Sequence, residues 1–248
     1  MDALPTGSVT FLFTDIEGST RLWEYYPEAM RAALARHDVL IRAAIEAHGG
    51  GVFKTVGDAF YAVFAAAASA AAAALTIQRM LQREPWSETG PLRVRVALHT
   101  GAAETRDGDY FGPALNRVAR MLAAGHGGQI VLSQSTQQLV RHALPPDATL
   151  RSLGAHRLRD LIVAEPIFQL VAADLPSEFP PLKTLGALRA ALPTHLGAER
   201  RECRSAWGRY PNTEQGWRGR SRRTCRGHSR DDTALGSPRR GHPTVRSA

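Results

Sequence analysis

The chain is short of cysteine, lysine, aromatic residues and long apolar runs, and each shortage excludes something. Its two cysteines, Cys203 and Cys225, both lie in a basic C-terminal stretch. They supply neither a metal-ligand spacing nor a disulfide framework, and read as free thiols. The most apolar run, the alanine-rich Ala62 to Leu75, is too short and too weakly apolar for a membrane span. The N-terminus lacks a basic segment followed by an apolar one, so no secretory signal is read and a cytoplasmic location is expected. Lysine occurs only at positions 54 and 183, although Lys and Arg together number 31. The formal charge of +8 is also missing from most of the chain. Residues 186–248 carry 14 arginines against 5 acidic residues, which leaves 17 basic and 18 acidic residues in 1–185. A near-neutral body with a basic tail argues against nucleic acid as the main partner.

What is present is enough for one sizeable core: 248 residues, 44% of them hydrophobic. Ser8 to Phe13 is a short β-type run, followed by a polar turn over Thr14–Thr20. Pro27 to His48 carries Met30, Leu34, Ile41 and Ile45 at helical spacing and stops at the Gly49–Gly51 triplet. Val52–Val56 and Ala59–Phe64 are joined by Gly57-Asp58, a two-residue hairpin signal. A helix is expected over Ala65–Arg83 and a strand over Leu92–Thr100. After the Gly101–Gly108 loop come a helix from Pro113 to Ala124, a strand at Gln129–Ser133 and a short helix near Ser135–His142. Two further strands are expected around Arg151–Leu153 and Ile167–Val171.

That order predicts an α+β fold, a ferredoxin-like βαββαβ sandwich with a mainly antiparallel sheet and a C-terminal extension. Helices are expected on one side, with the first strand and the hairpin adjacent at the sheet's centre. Residues 1–185 are expected to form this domain. Residues 186–248, rich in Arg, Gly, Ser and Pro, cannot bury enough apolar area to offset their ordering entropy and are expected to be disordered.

Several polar residues stand out, though each has an ordinary structural reading. Asp15, in F-L-F-T-D-I-E-G-S-T, follows an apolar strand and alone reads as a cap or Asx turn. Asp58, in K-T-V-G-D-A-F, alone reads as a turn residue. Together, a strand end and a neighbouring hairpin tip bring two carboxylates close, and like charges at that range call for a hard cation. Lys54, four residues before Asp58, is either a surface strand residue or a compact donor for a ring nitrogen or phosphate. Asn116 and Arg120 in D-Y-F-G-P-A-L-N-R-V-A-R share one helix face, whether solvated or functional.

With those three motifs in this order, the chain from about Ser8 to Leu170 resembles the catalytic domain of class III adenylate/guanylate cyclases. The first motif is especially similar to soluble bacterial and mycobacterial-type cyclases, often fused to ATPase and helix-turn-helix modules. The resemblance implies that Asp15, Asp58 and the Ile16 carbonyl bind two Mg²⁺ or Mn²⁺ ions per site. It implies that Lys54 and Asp109 read the purine, that Asn116 orients the ribose and that Arg120 stabilises the transition state. Arg159 would contact the triphosphate, with a plain surface arginine as the other reading. Sites would be shared across a homodimer, one chain giving the aspartates and the other the remaining groups. Asp107 rivals Asp109 for the purine, and the resemblance favours Asp109, whose spacing to Asn116 fits the family.

The Lys–Asp pattern itself favours ATP. Adenine offers an N6 donor to Asp109 and an N1 acceptor to Lys54, and guanine reverses both. The expected activity is therefore adenylate cyclisation. A guanylate or relaxed cyclase and a non-catalytic nucleotide-binding module are the competing readings. From Leu182 the sequence faintly resembles the linker into an ATPase module, and residues 203–248 have the composition of a truncated or shifted reading frame.

Overall fold

The computed structural model describes residues 5–106 and 108–184, with the backbone of 187–188. Of the tail expected to be disordered, residues 187–188 instead pair as a strand with residues 155–156; its other residues, both cysteines and Asp107 lie outside the described residues.

Four strands and three helices, two of them in the first crossover, make the expected ferredoxin-like unit. The strands are β1 (Ser8–Ile16), β2 (Gly51–Val56), β3 (Ala59–Phe64) and β4 (Val94–Ala102). The short α1 (Ser19–Tyr25) and the long α2 (Pro27–Ala47) connect β1 to β2, and α3 (Ala67–Arg83) connects β3 to β4. A β5–β6 hairpin (Glu104–Arg106, Asp109–Phe111) then leads into α4 (Pro113–Ala124). The remainder is β7 (Ile130–Ser133), α5 (Gln134–Val140), β8 (Ala148–His156), β9 (Glu165–Ala172) and β10 (Ala187–Leu188). The main sheet runs β10-β8-β9-β7-β4-β1-β3-β2. Its one parallel pair is β4 with β7; the other neighbours are antiparallel.

Two expectations need correction. The β2–β3 hairpin does flank β1, but it closes one edge of the sheet instead of occupying its centre. Nor do the helices share one side. The two-residue period of β1 sends Leu12 and Ile16 into a core with α2, α3 and α5, through residues such as Ile41, Leu75 and Val140. Val9, Phe11 and Phe13 point the other way, into a second core with Val118 and Met121 of α4. β1 is apolar on both faces because both faces are covered, and this is why it reads as a continuous run. Alanine is abundant in α3, where Ala70, Ala71, Ala73 and Ala74 are fully buried, so small side chains let this helix lie close to its neighbours.

Buried histidines make the fold acid-sensitive. His99 on β4 is 2% exposed, its Nδ1 is 2.9 Å from Ser133 Oγ, and burial with the Arg117 charge pushes its pKa down to about 4. The unfolded chain takes up this proton near pH 6.5 and the folded chain does not. Between those values the unfolded state holds more protons, so stability falls as pH drops from about 6.5 to about 4, by about 3 kcal/mol for this group. His37, also buried and lowered by desolvation, adds to the same slope. Urea titrations across this range should show the loss, and His99→Gln should make the slope shallower.

Candidate active site

The strand β1 runs further than its apolar run, to Ile16, so Asp15 stands inside the ladder directly opposite Arg95 of β4. It falls on the α4 side of the sheet, in line with Phe11 and Phe13. Its carboxylate is ion-paired with the Arg95 guanidinium. Burial nevertheless holds the Asp15 pKa above its ordinary value; Arg95 pulls it down, and Asp58 and Glu17 push it up. Arg95 is a residue that the sequence reading passed over. Its strand was legible, but its pairing with Asp15 depends on a register that neither segment encodes alone.

Asp58 occupies the second position of a two-residue turn between Val56 and Ala59. Gly57 before it has φ +60°, a conformation that suits glycine there. Asp58 Oδ2 accepts the Ile16 N–H at 3.0 Å. The next amide, Glu17 N–H, points the opposite way and donates to Arg93 O at 2.8 Å. A planar trans peptide therefore aims the Ile16 carbonyl away from β4, toward the hairpin side where Asp58 lies. Asp58 is bonded to the residue after Asp15, and its charge acts on the Asp15 carboxylate; carboxylate and carbonyl oxygens are all hard donors. Among the described residues no group of three or more His, Cys, Asp or Glu side chains forms a metal cluster. The donor set instead fits an oxygen-preferring divalent cation that keeps part of its own shell for water or phosphate.

A second cluster forms around β2 and β6. Lys54 follows a bulge in β2, where the register with β3 shifts. Its Nζ donates to Asp109 Oδ2 at 2.5 Å. The other Asp109 oxygen accepts the Tyr110 N–H at 2.8 Å. These contacts, led by Lys54, hold the Asp109 pKa below its ordinary value. Tyr110 is buried and packs edge-on to Phe11 and Phe53, which anchors this pair to the second core. The β5 strand lies in the Gly101–Gly108 stretch read from sequence as a loop, and β6, which carries Asp109, was given no element there.

On α4, Ala114, Val118, Met121 and Leu122 are buried, and Asn116, Ala119, Arg120 and Ala123 form an exposed stripe. Arg120 reaches Asp160 at 2.7 Å, in the loop after β8. Arg159 is 79% exposed and stands 3.8 Å from the same carboxylate. The structure thus joins Asp15, Ile16 and Asp58 in one group and Lys54 with Asp109 in another. Among the described residues no hydrogen bond or ion pair ties either group to Asn116, Arg120 or Arg159.

Residues 1–159 match the family model of the adenylate and guanylate cyclase catalytic domain. The chain belongs to that cyclase family. An uncharacterised protein of Mycobacterium tuberculosis is 46% identical to this cyclase domain over 182 residues, covering 73% of the chain and 61% of the relative. The chain thus spans about three fifths of that relative's length. An adenylate cyclase of Lachancea kluyveri is 37% identical over 156 residues, 53% of the chain but 8% of that protein. A solved structure of Trypanosoma brucei adenylate cyclases in their monomeric state superposes with a TM-score of 0.66 at 27% identity, covering 75% of this chain and 99% of that one. No helix among the described residues is long and apolar enough to cross a membrane.

Proposed function

We propose that this cyclase domain converts ATP to 3′,5′-cyclic AMP and pyrophosphate, at composite sites between two copies of the chain. The observation that carries the choice of ATP is the Lys54–Asp109 pair, an ammonium and a carboxylate held 2.5 Å apart. Its donor and acceptor match N1 and N6 of adenine and oppose O6 and N1 of guanine. A base that leaves such polar groups unpaired is rejected by orders of magnitude.

In this reading Asp15, Asp58 and the Ile16 carbonyl hold Mg²⁺ or Mn²⁺, two ions per site. Such ions lower the pKa of the 3′-hydroxyl and neutralise phosphate charge when bound. The chain's own residues do the rest. Asp58 fixes the Ile16 amide, and Asp15 accepts a hydrogen bond from the Arg95 guanidinium. Cations held there would compete with Arg95 for this carboxylate. Asn116 orients the ribose so that its 3′-oxygen lies in line with the α-phosphorus. Arg120 stabilises charge developing on the α-phosphate, exchanging Asp160 for a phosphate oxygen. Arg159 shares Asp160 with it and would contact the outer phosphates.

Exposed apolar side chains support a second copy as the partner. Val56, Phe111, Ile162 and Val163 are 55%, 45%, 93% and 75% exposed, and each lies within three residues of Lys54, Asp58, Asp109 or Asp160. A surface of this kind beside a half-site is one that another protein covers.

The direct test is product formation from ATP or GTP with Mn²⁺ or Mg²⁺. Cyclic AMP from ATP, with GTP turned over at least about a hundredfold more slowly, is the expected result. Replacing Lys54 and Asp109 together, as Lys54→Glu with Asp109→Ser, should move the ATP/GTP ratio toward GTP. An unchanged ratio removes the base-reading role of this pair. Absence of either cyclic product removes the catalytic reading.

A further inference from the structure

The segment leaving β9 does not simply depart from the domain. Residues 173–184 run back across the sheet, and several contacts fasten them. Gln169 Nε2 donates to Ser177 O at 2.8 Å and His126 Nε2 lies 3.1 Å from Pro181 O. Leu182 is buried in the α4-side core, and Lys183 N–H donates to Ala124 O at 2.9 Å. This strap ends beside the loop that follows Ile16. Glu17 Oε1 accepts from Lys183 Nζ at 2.6 Å, across 166 positions of sequence. Glu17 Oε2 accepts the Gly127 N–H at 3.1 Å.

The seat for Glu17 is built closely. A Cβ at Gly127 would lie 2.5 Å from Arg93 Cβ and 2.9 Å from Glu17 Oε2, so only glycine lets the loop approach. Elsewhere the strap and the β1 end stand apart. A cavity of about 400 Å³ lies between them, walled by Glu17, Arg93 and Gly127 on one side and Leu175, Pro176 and Phe179 on the other. Lys183 bridges to the loop beyond that gap. The peptide it steadies, Ile16 C=O with Glu17 N–H, is the one whose carbonyl faces Asp58.

We propose that Glu17 and Lys183 form a latch through which the C-terminal strap positions the Ile16 carbonyl for cation binding. Glu17 and Lys183 are positioning residues and touch neither cation nor substrate. The pair is part exposed, 32% and 47%, so its worth to folding is small while its worth to the geometry of a neighbouring ligand is not. Any displacement that draws Lys183 off Glu17 then loosens the Ile16–Glu17 peptide. The inference rests on the cyclase reading above.

The test uses the full chain and Mn²⁺ alone as probe, with binding measured by calorimetry and cyclic-nucleotide formation measured beside it. Glu17→Gln keeps an acceptor for Gly127 and removes the charge; Lys183→Ala removes the other partner. Each should weaken Mn²⁺ binding by about tenfold. Turnover at saturating Mn²⁺ and the melting temperature should stay near wild type, and Lys183→Arg should restore most of the affinity. Variants that bind Mn²⁺ within twofold of an active wild type, or an Arg substitution no better than Ala, overturn the latch and leave the cyclase reading intact. A wild type that binds no Mn²⁺ and makes no cyclic product overturns both.

Discussion

Replacing Asp15 by Asn should abolish cyclic-nucleotide formation, by about a thousandfold or more, without destabilising the domain. The two halves of this expectation come from different physics. Loss of activity follows from removing one of two carboxylates assigned to the cations, whose charge stabilisation is worth several kcal/mol of barrier. The stability half follows from the raised pKa of Asp15. Burial, together with the Asp58 and Glu17 charges, disfavours its ionised form more than Arg95 favours it. A neutral isostere relieves that cost and still offers Arg95 an oxygen. The cation-free melting temperature should therefore hold steady or rise while turnover vanishes, the opposing response of a residue kept for function. Asp15→Ala is the less clean variant. It strips the acceptor from Arg95, whose Nε is already buried without a partner, and so adds an unrelated penalty. A steep fall in melting temperature for Asp15→Asn, or retained turnover, would show that this carboxylate serves the fold instead.

Much of the fold was legible because its elements carry strong local signals. The Pro113–Ala124 helix opens on a proline at its first position and closes before glycine, and its bounds match expectation. The hairpin was readable from Gly57-Asp58 between two β-type runs. What was not legible depends on pairing across distance. The three-residue strands β5 and β6 are too short for a period, and pair only because Thr105 meets Tyr110 and Tyr110 is pinned in the core. The hairpin's place at an edge and the split of helices between two faces are decided by the packing of both cores. The same holds for the site. Asp15, Asp58, Lys54 and Asp109 could be named from motifs, and their grouping is consistent with the geometry. Arg95 and Lys183 could not. One lies in an alternating strand and the other in a linker, and only the register of β4 and the path of the strap bring them to the β1 end.

Mixing two inactive variants, Asp58→Ala and Arg120→Ala, should restore about a quarter of wild-type activity per chain. Each variant alone should be inactive, because both of its sites lack one essential group. In the proposed two-fold dimer the sites are equivalent, and each would take its carboxylates from one copy and its arginine from the other. A mixed dimer then concentrates both defects in one site and leaves the second complete. Random exchange makes half the dimers mixed, and each of these has one working site of two. The isolated chain supports this division of labour. Asp58 is bonded to the β1 end, Arg120 is exposed on α4 and occupied by Asp160, and no contact among the described residues links them. Activity should grow with total protein concentration and fall on dilution, since the proposed site is complete only in the dimer. Absence of rescue in a mixture shown by sedimentation to contain dimers would mean that Asp58 and Arg120 serve the same site from the same chain.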